Sequence, residues 1–478
     1  INDYELSNLR AKLLWEHSDN LKIKASAIVH KNDTGAQNIR EDDNGNYQQL
    51  FDEPTTPSGT DDYELYNLTV LYDMEGMSLT SSTSYLDTQK QALNWGNECC
   101  FPTSNPGEYW NILIYEQNVS AEIFSQELRL SSDDSSALNW TAGIFYKDAE
   151  TIPSDLVSGI LGVPGSFDFA FSSFQEENSE SWAVFGELAY GLTDSLEVGV
   201  GLRYFEDRKE DRRSPDGVFE QDKFNSLNPK FFISYAASEN SRIYFNAAQG
   251  FRSGGFNAAN LPSYDPEEVQ SYELGAKMVL MDRRLQAELA LFFSDYQDYQ
   301  VNGVDLSVST SNILSNSGSI DVQGIDVSLR WFAGENLELG FNGNYTDTEF
   351  KEINEALDTP RYEIGDPADF VPQYGYSLWS TLSFEWFDSS PGSLRIDYSQ
   401  QGEAHYRGRN FGPDYHDTSD IVDLLNARLS WEKGNVMVEL YAHNLTNERG
   451  FIGPDGRLQK NSSRPRPRSI GLNFDLTF

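Results

Sequence analysis

No run of about 20 continuous apolar residues, the length a membrane-crossing helix needs, occurs in the 478 residues, so a helical membrane protein is excluded. Basic residues are scarce: 35 Lys and Arg stand against 75 Asp and Glu, and the formal net charge of −40 repels nucleic acid and other polyanions. Cysteine is confined to Cys99 and Cys100, adjacent in a polar stretch. They either close a strained vicinal disulfide or pair outside this sequence; an oxidised structural role ranks ahead of metal binding, which needs more ligands nearby. The 5 histidines are scattered, with no nucleophile elbow and no Ser-His-acid set that stands out, so the chain is not read as an enzyme. No resident cofactor or metal is expected. An initiator methionine and a charged, apolar leader are lacking at Ile1, which gives the expectation of a processed or truncated chain.

What is present is 13% aromatic residues, 36 glycines and a strict two-residue alternation. In the last segment Ile470, Leu472, Phe474, Leu476 and Phe478 point one way, and Ser469, Gly471, Asn473, Asp475 and Thr477 the other. The pattern recurs along the chain, for example in Leu425, Ala427, Leu429 and Trp431 against Asn426, Arg428 and Ser430. It yields about nineteen strand candidates, from 4 to 15 through 468 to 478 and including 118 to 131, 138 to 149, 179 to 191 and 195 to 206. Connectors alternate between short turns, such as Gly191 to Ser195, Ala237 to Ser241, Met281 to Arg284 and Glu432 to Asn435, and long loops such as 207 to 222, 252 to 268 and 403 to 417. Compact soluble domains rarely carry so many long loops, whereas outer-membrane barrels put short turns in the periplasm and long loops outside the cell. Trp15, Trp331, Trp386 and Trp431 lie beside short turns and Tyr85, Tyr146, Tyr204 and Tyr345 toward long loops, as two aromatic girdles would.

These features predict an all-β fold: a transmembrane, antiparallel, up-and-down β-barrel in the outer membrane, facing lipid and monomeric. Single-chain bacterial barrels have an even strand number. A count of about nineteen that begins and ends at the periplasmic side therefore predicts about 22, with three strands preceding this sequence. On that expectation residues 1 to 478 are the C-terminal part of the barrel.

Several segments resemble TonB-dependent receptors. The stretch Asn444 to Arg449, N-L-T-N-E-R, followed by a long loop, Pro465 to Ser469 and an aromatic-ended strand, is similar to the ending of that family. Tyr244 to Asn257, followed by Pro266, Glu267 and Ser271 to Ala276, resembles its central hairpin, and Asn312 to Val327 a further strand, with Asp326 where glutamate is commoner. The resemblance covers essentially the whole chain. It implies energised uptake of scarce solutes such as ferric siderophores, haem, cobalamin or oligosaccharides, with a plug domain and a TonB-contacting box that lie outside this sequence. A passive porin and a surface adhesin are the alternatives.

Candidate functional residues fall into groups. The loop Glu403 to Asp417 holds His405, Tyr406, Arg407, Arg409, Tyr415 and His416, which suit an anionic iron chelate or a carboxylated ligand. Self-packing of the loop is the plainer reading. The net charge points instead to a cationic or neutral ligand. Trp95, Tyr109 and Trp110, in the loop with the cysteines, form a second patch, and the acidic run Glu41, Asp42, Asp43 lacks the full Ca²⁺-loop pattern. By alternation Arg203, Arg330 and Arg428 face the lumen; with Arg252, Glu338 and Asp397 they are candidates for plug contacts or for solvated lining. Gly250, Gly254 and Gly255 are expected to serve a turn with positive φ, ahead of close backbone approach. Phe474, Leu476 and Phe478 are the expected insertion signal for the barrel assembly machinery.

Overall fold

The computed structural model describes residues 4–35, 58–97, 112–133, 136–160, 169–214, 217–257, 261–304, 312–316, 318–353, 362–407, 416–454 and 462–477. Their dominant feature is one 19-stranded sheet in which strands adjacent in the chain pair antiparallel, from Tyr4–Ser18 at one edge to Ser469–Leu476 at the other. Each edge strand pairs on one side only among the described residues. Short two-stranded ribbons, Gln300–Val304 with Asn312–Asn316 and His405–Arg407 with His416–Thr418, rise from the ends of that sheet.

Alternation sorts the side chains onto two faces. Leu9, Leu13 and Trp15 lie opposite Val29, Ala25 and Ile23 on one face, and Arg10, Lys12 and Glu16 opposite Ile28, Ser26 and Lys22 on the other. The apolar face stays open: Val200, Leu202, Ile144, Val184 and Leu188 each leave about half their surface uncovered. An apolar surface of that extent, spread over strand after strand of one face, fits contact with lipid. Trp15 and Trp331 lie on it, and Trp386 beside its turn donates its indole N–H to the Ser430 carbonyl, 3.1 Å away. Tight turns fall where turn residues predict them, between Thr193 and Leu196, Ser238 and Ser241, Leu280 and Leu285, and Lys433 and Val436. Gly434, φ 63°, supplies the left-handed residue of the last.

On the polar face a recurring joint ties neighbouring strands. Phe185 is paired with Gly143, Phe232 with Gly199, Tyr244 with Gly275, Phe292 with Gly324, Trp379 with Gly340 and Tyr441 with Gly471. In each pair the ring lies in the space that a Cβ on the glycine would occupy. The large residue covers its neighbour's bare backbone, and a one-residue slip would drive the ring into a side chain.

Strands run further than the alternation predicts. Ile112–Ser132, Leu138–Ile160, Phe169–Thr193 and Leu196–Ser214 extend well into stretches read as loops, and Trp95 belongs to the strand Met77–Asn97, not to a loop. Once the chain leaves lipid both faces are wet, so hydrophobic alternation ends while the hydrogen-bond ladder continues. The buried cluster of Ile320, Phe350, Tyr362 and Ala368 sits at this long-loop end, packed by Tyr296, Tyr299 and Val322.

Candidate functional site

The strand extensions build a mouth above the apolar band. On the polar face, Ser179 and Ser181 of Phe169–Thr193 donate to Asp207 Oδ1, both at 2.8 Å. Asp207 Oδ2 accepts from Ser253 at 2.9 Å, and Lys209 Nζ donates to the Gly254 carbonyl at 2.9 Å. These bonds pull the segment after Arg252 inward across the wall. Gln300 clamps it from the other side, donating to the Ser253 and Asp265 carbonyls while its own N–H donates to Glu267 at 2.7 Å. Arg252 meets Glu267 at 3.8 Å.

Gly254 and Gly255 permit this approach, though not by the expected route. Gly250, Gly254 and Gly255 are absent from the described positive-φ residues; a Cβ would strike Phe224 and the Tyr264 carbonyl at Gly254, the Tyr264 ring at Gly255 and Val269 at Gly250. Space, not backbone handedness, demands glycine there.

Beneath the segment lies a charged network. Asp211 is ion-paired with Arg213, which also reaches Glu220 at 3.1 Å, and Gln175 bridges Glu177 and Asp211 at 2.8 and 3.0 Å. Burial, then the Asp211 charge, raises the Glu177 pKa above the ordinary range, against Lys209 and Arg213. Burial likewise raises Asp211, although Arg213 and Gln175 oppose it, and lowers Lys209. An acid with a raised folded pKa stabilises the fold fully below its unfolded value and loses that contribution as pH rises through the folded value. Protection of backbone amides in the Arg252 to Glu267 segment is therefore expected to fall as pH rises from about 4.5, and Glu177→Gln to flatten the profile. Hydrogen exchange corrected for intrinsic rates measures it; a wild-type profile that rises with pH refutes it.

The segments that carry the family-like motifs prove to be stitches at the same rim. Asn257 donates to the Pro262 and Leu314 carbonyls and accepts the Leu314 N–H, while Asn316 does the same for Asp265 and donates to the Asp298 carbonyl. Asn444, φ 50°, accepts the Glu448 N–H at 2.7 Å and donates to the carbonyls of Glu448 and Arg466 at 2.9 and 2.8 Å.

The loop candidates divide. Tyr406 is buried, edge-on to Phe370 and Phe451, with its hydroxyl donating to the Ile452 carbonyl, so it serves as a seam between loops and is not on their exposed surface. His405 is exposed, and Arg407 pairs with His416 across a ribbon. Arg409, Tyr415, Cys99, Cys100, Tyr109, Trp110, Phe478 and the run Glu41 to Asp43 lie outside the described residues, and Trp95 is described only as strand backbone.

The wall arginines differ in what they touch. Arg330 makes a two-point pair with Glu338 at 2.8 and 3.2 Å, and the neighbouring Arg395 pairs with Asp397. Arg428 lies opposite Arg395 and Tyr441 in register. Arg203 instead sits among Phe145, Phe185 and Phe205. Neither this cage nor the Asp207, Lys209 and Gln300 clamp was read from sequence. The inward spacing of Asp207, Lys209, Asp211 and Arg213 carries the signal, but charged residues between them mask it.

Residues 8–445 match the family model for the TonB dependent receptor-like β-barrel. The pesticin receptor of Yersinia pestis is 25% identical over 326 residues, covering 64% of this chain and 45% of that protein. The TonB-dependent siderophore receptor PiuA of Acinetobacter baumannii is 28% identical over 254 residues, 52% of this chain and 32% of that protein. The chain thus spans less than half the length of these relatives. Among solved structures, the ferric yersiniabactin uptake receptor FyuA from Yersinia pestis superposes with a TM-score of 0.79 at 17% identity, covering 99% of this chain and 71% of that one. With its strand order, two-faced sheet and family match over nearly all its length, the chain belongs to the TonB-dependent receptors, as part of their β-barrel.

Proposed function

We propose that this chain is the wall of an outer-membrane receptor in a Gram-negative bacterium, taking up a scarce solute, most simply an iron chelate, with energy from TonB. The observation that carries the reading is the family match over residues 8–445. It is supported by relatives named as a pesticin receptor and a siderophore receptor, and by similar folds described as uptake receptors for ferric yersiniabactin and transporters of ferric citrate. In that reading a plug domain closes the lumen, TonB engages a segment outside residues 1–478, and the barrel assembly machinery inserts a monomer through the strand that carries Phe474 and Leu476. The exposed His405, together with the loop candidates Arg407, Arg409, Tyr415 and His416, would meet ligand first, and Arg252 and the wall arginines would face the plug or the passage. The family is one of receptors, not of enzymes.

A deletion strain complemented with the full-length gene tests this under iron limitation. Growth on the cognate ferric chelate is expected to require both the gene and TonB. Growth restored without TonB would replace the receptor with a passive channel, and growth unchanged by the deletion across iron chelates would remove iron as cargo.

A further inference from the structure

Arg203 is a wall arginine with no charged partner among the described residues. Its guanidinium carbon lies 5.5 Å from the ring centre of Phe145, 5.4 Å from Phe185 and 5.9 Å from Phe205. Among the described residues it makes no hydrogen bond and no ion pair, in contrast to Arg330 and Arg395. The cage is fixed by register: Phe185 faces Arg203 directly across the strand pair, and its ring fills the space over Gly143. Phe205 faces Ala183, which is almost wholly buried, and touches Phe251 at 6.0 Å between ring centres.

The other polar neighbours either offer donors or are carboxylates engaged elsewhere. Asn228 lies opposite Arg203, and its Oδ1 is taken by the Ser226 hydroxyl, so its amide N–H groups remain. The nearby Glu187 is paired with Lys230 at 2.8 Å, and Asp207 accepts from the hydroxyls of Ser179, Ser181 and Ser253. Stacked rings leave the planar edge of a guanidinium free, and that edge matches the two oxygens of a carboxylate. Aromatic walls also lower the local dielectric and offer faces to a flat ligand.

We propose that Arg203, with Phe145, Phe185, Phe205 and Asn228, is a binding site on the lumen wall for a planar carboxylate. The inference deepens the receptor reading by naming the chemistry of one station on the passage. The carboxylate belongs either to a solute or to polypeptide inside the lumen, and the test separates these sources.

Full-length receptor in detergent is titrated with benzoate and with its neutral isostere benzamide, followed by ligand-observed NMR. Benzoate is expected to bind about tenfold more tightly than benzamide, Arg203→Lys to lose most of that preference because an ammonium lacks the fork, and Arg203→Gln to abolish it. If polypeptide fills the site, wild type will bind no benzoate, but Arg203→Gln will speed hydrogen exchange in the lumenal segment that supplies the carboxylate. Arg203→Gln unchanged in both measurements overturns the site. Neither measurement involves uptake, so its failure leaves the receptor reading standing, and loss of TonB-dependent growth would not touch the site.

Discussion

Replacing Gly340 by valine is expected to destabilise the barrel by about 3 kcal/mol or more, at the upper end of what overpacking a filled site costs. The indole of Trp379 lies against Gly340 where the new side chain must go. It has little freedom to leave: the guanidinium carbon of Arg395 lies over it, 5.7 Å from the ring centre. Trp379→Ala alone is expected to cost about 3 to 5 kcal/mol through lost burial. The combination is the discriminating case. With the ring gone the valine has room, so the double variant should be no less stable than Trp379→Ala, a coupling of about 3 kcal/mol that cancels the valine's whole cost. Urea midpoints of refolding in detergent, read by heat-sensitive gel mobility, give the numbers. Strict additivity of the two losses would show that ring and glycine do not form a joint.

Asn444→Ala is expected to lose about 3 to 4 kcal/mol. Its side chain holds the Glu448 N–H and the carbonyls of Glu448 and Arg466, each worth about 1 kcal/mol net, and its backbone sits in the left-handed region, which costs alanine about a further 1 kcal/mol. The stitch pins the start of the last long loop to its end at Arg466, just before the strand Ser469–Leu476. Its loss should therefore appear as protease cleavage between residues 445 and 468 as well as in a lower melting temperature. Asn444→Gly loses the same bonds without the backbone penalty and should be milder than alanine. Glycine proving worse would show that left-handed strain plays no part.

Sequence disclosed the membrane half of this molecule far better than the mouth. Where one face meets lipid, as at Val198, Val200 and Leu202, the pattern of every second residue is unambiguous, and strand positions and tight turns follow from it. Beyond Phe205 the residues read E-D-R-K-E-D-R-R, charged on both faces, and no hydrophobic period remains to announce that the strand continues to Ser214. The clamp was hidden for the same reason, since Asp207 and Lys209 lie inside that charged run. Tyr406 shows another limit: an aromatic in a polar loop looks like a ligand contact, and only the arrival of Phe370 and Phe451 from distant segments makes it a seam. The joints were missed because Gly340 and Trp379, far apart in the chain, acquire meaning only once the register pairs them.

The long strands also change what the outside world meets. Phe169–Thr193 has 25 residues, and a tilted crossing uses about 11 of them. The remainder, at ~3.4 Å per residue and a tilt near 45°, stands roughly 30 Å above the bilayer. On the flank built from Ile112 to Ser214, an antibody or any large particle approaching the cell encounters a stiff hydrogen-bonded palisade before it reaches lipid. Recognition of that flank should depend on the assembled wall: sera raised against its unfolded peptides should bind intact cells poorly, and sera raised against the folded barrel should bind them well.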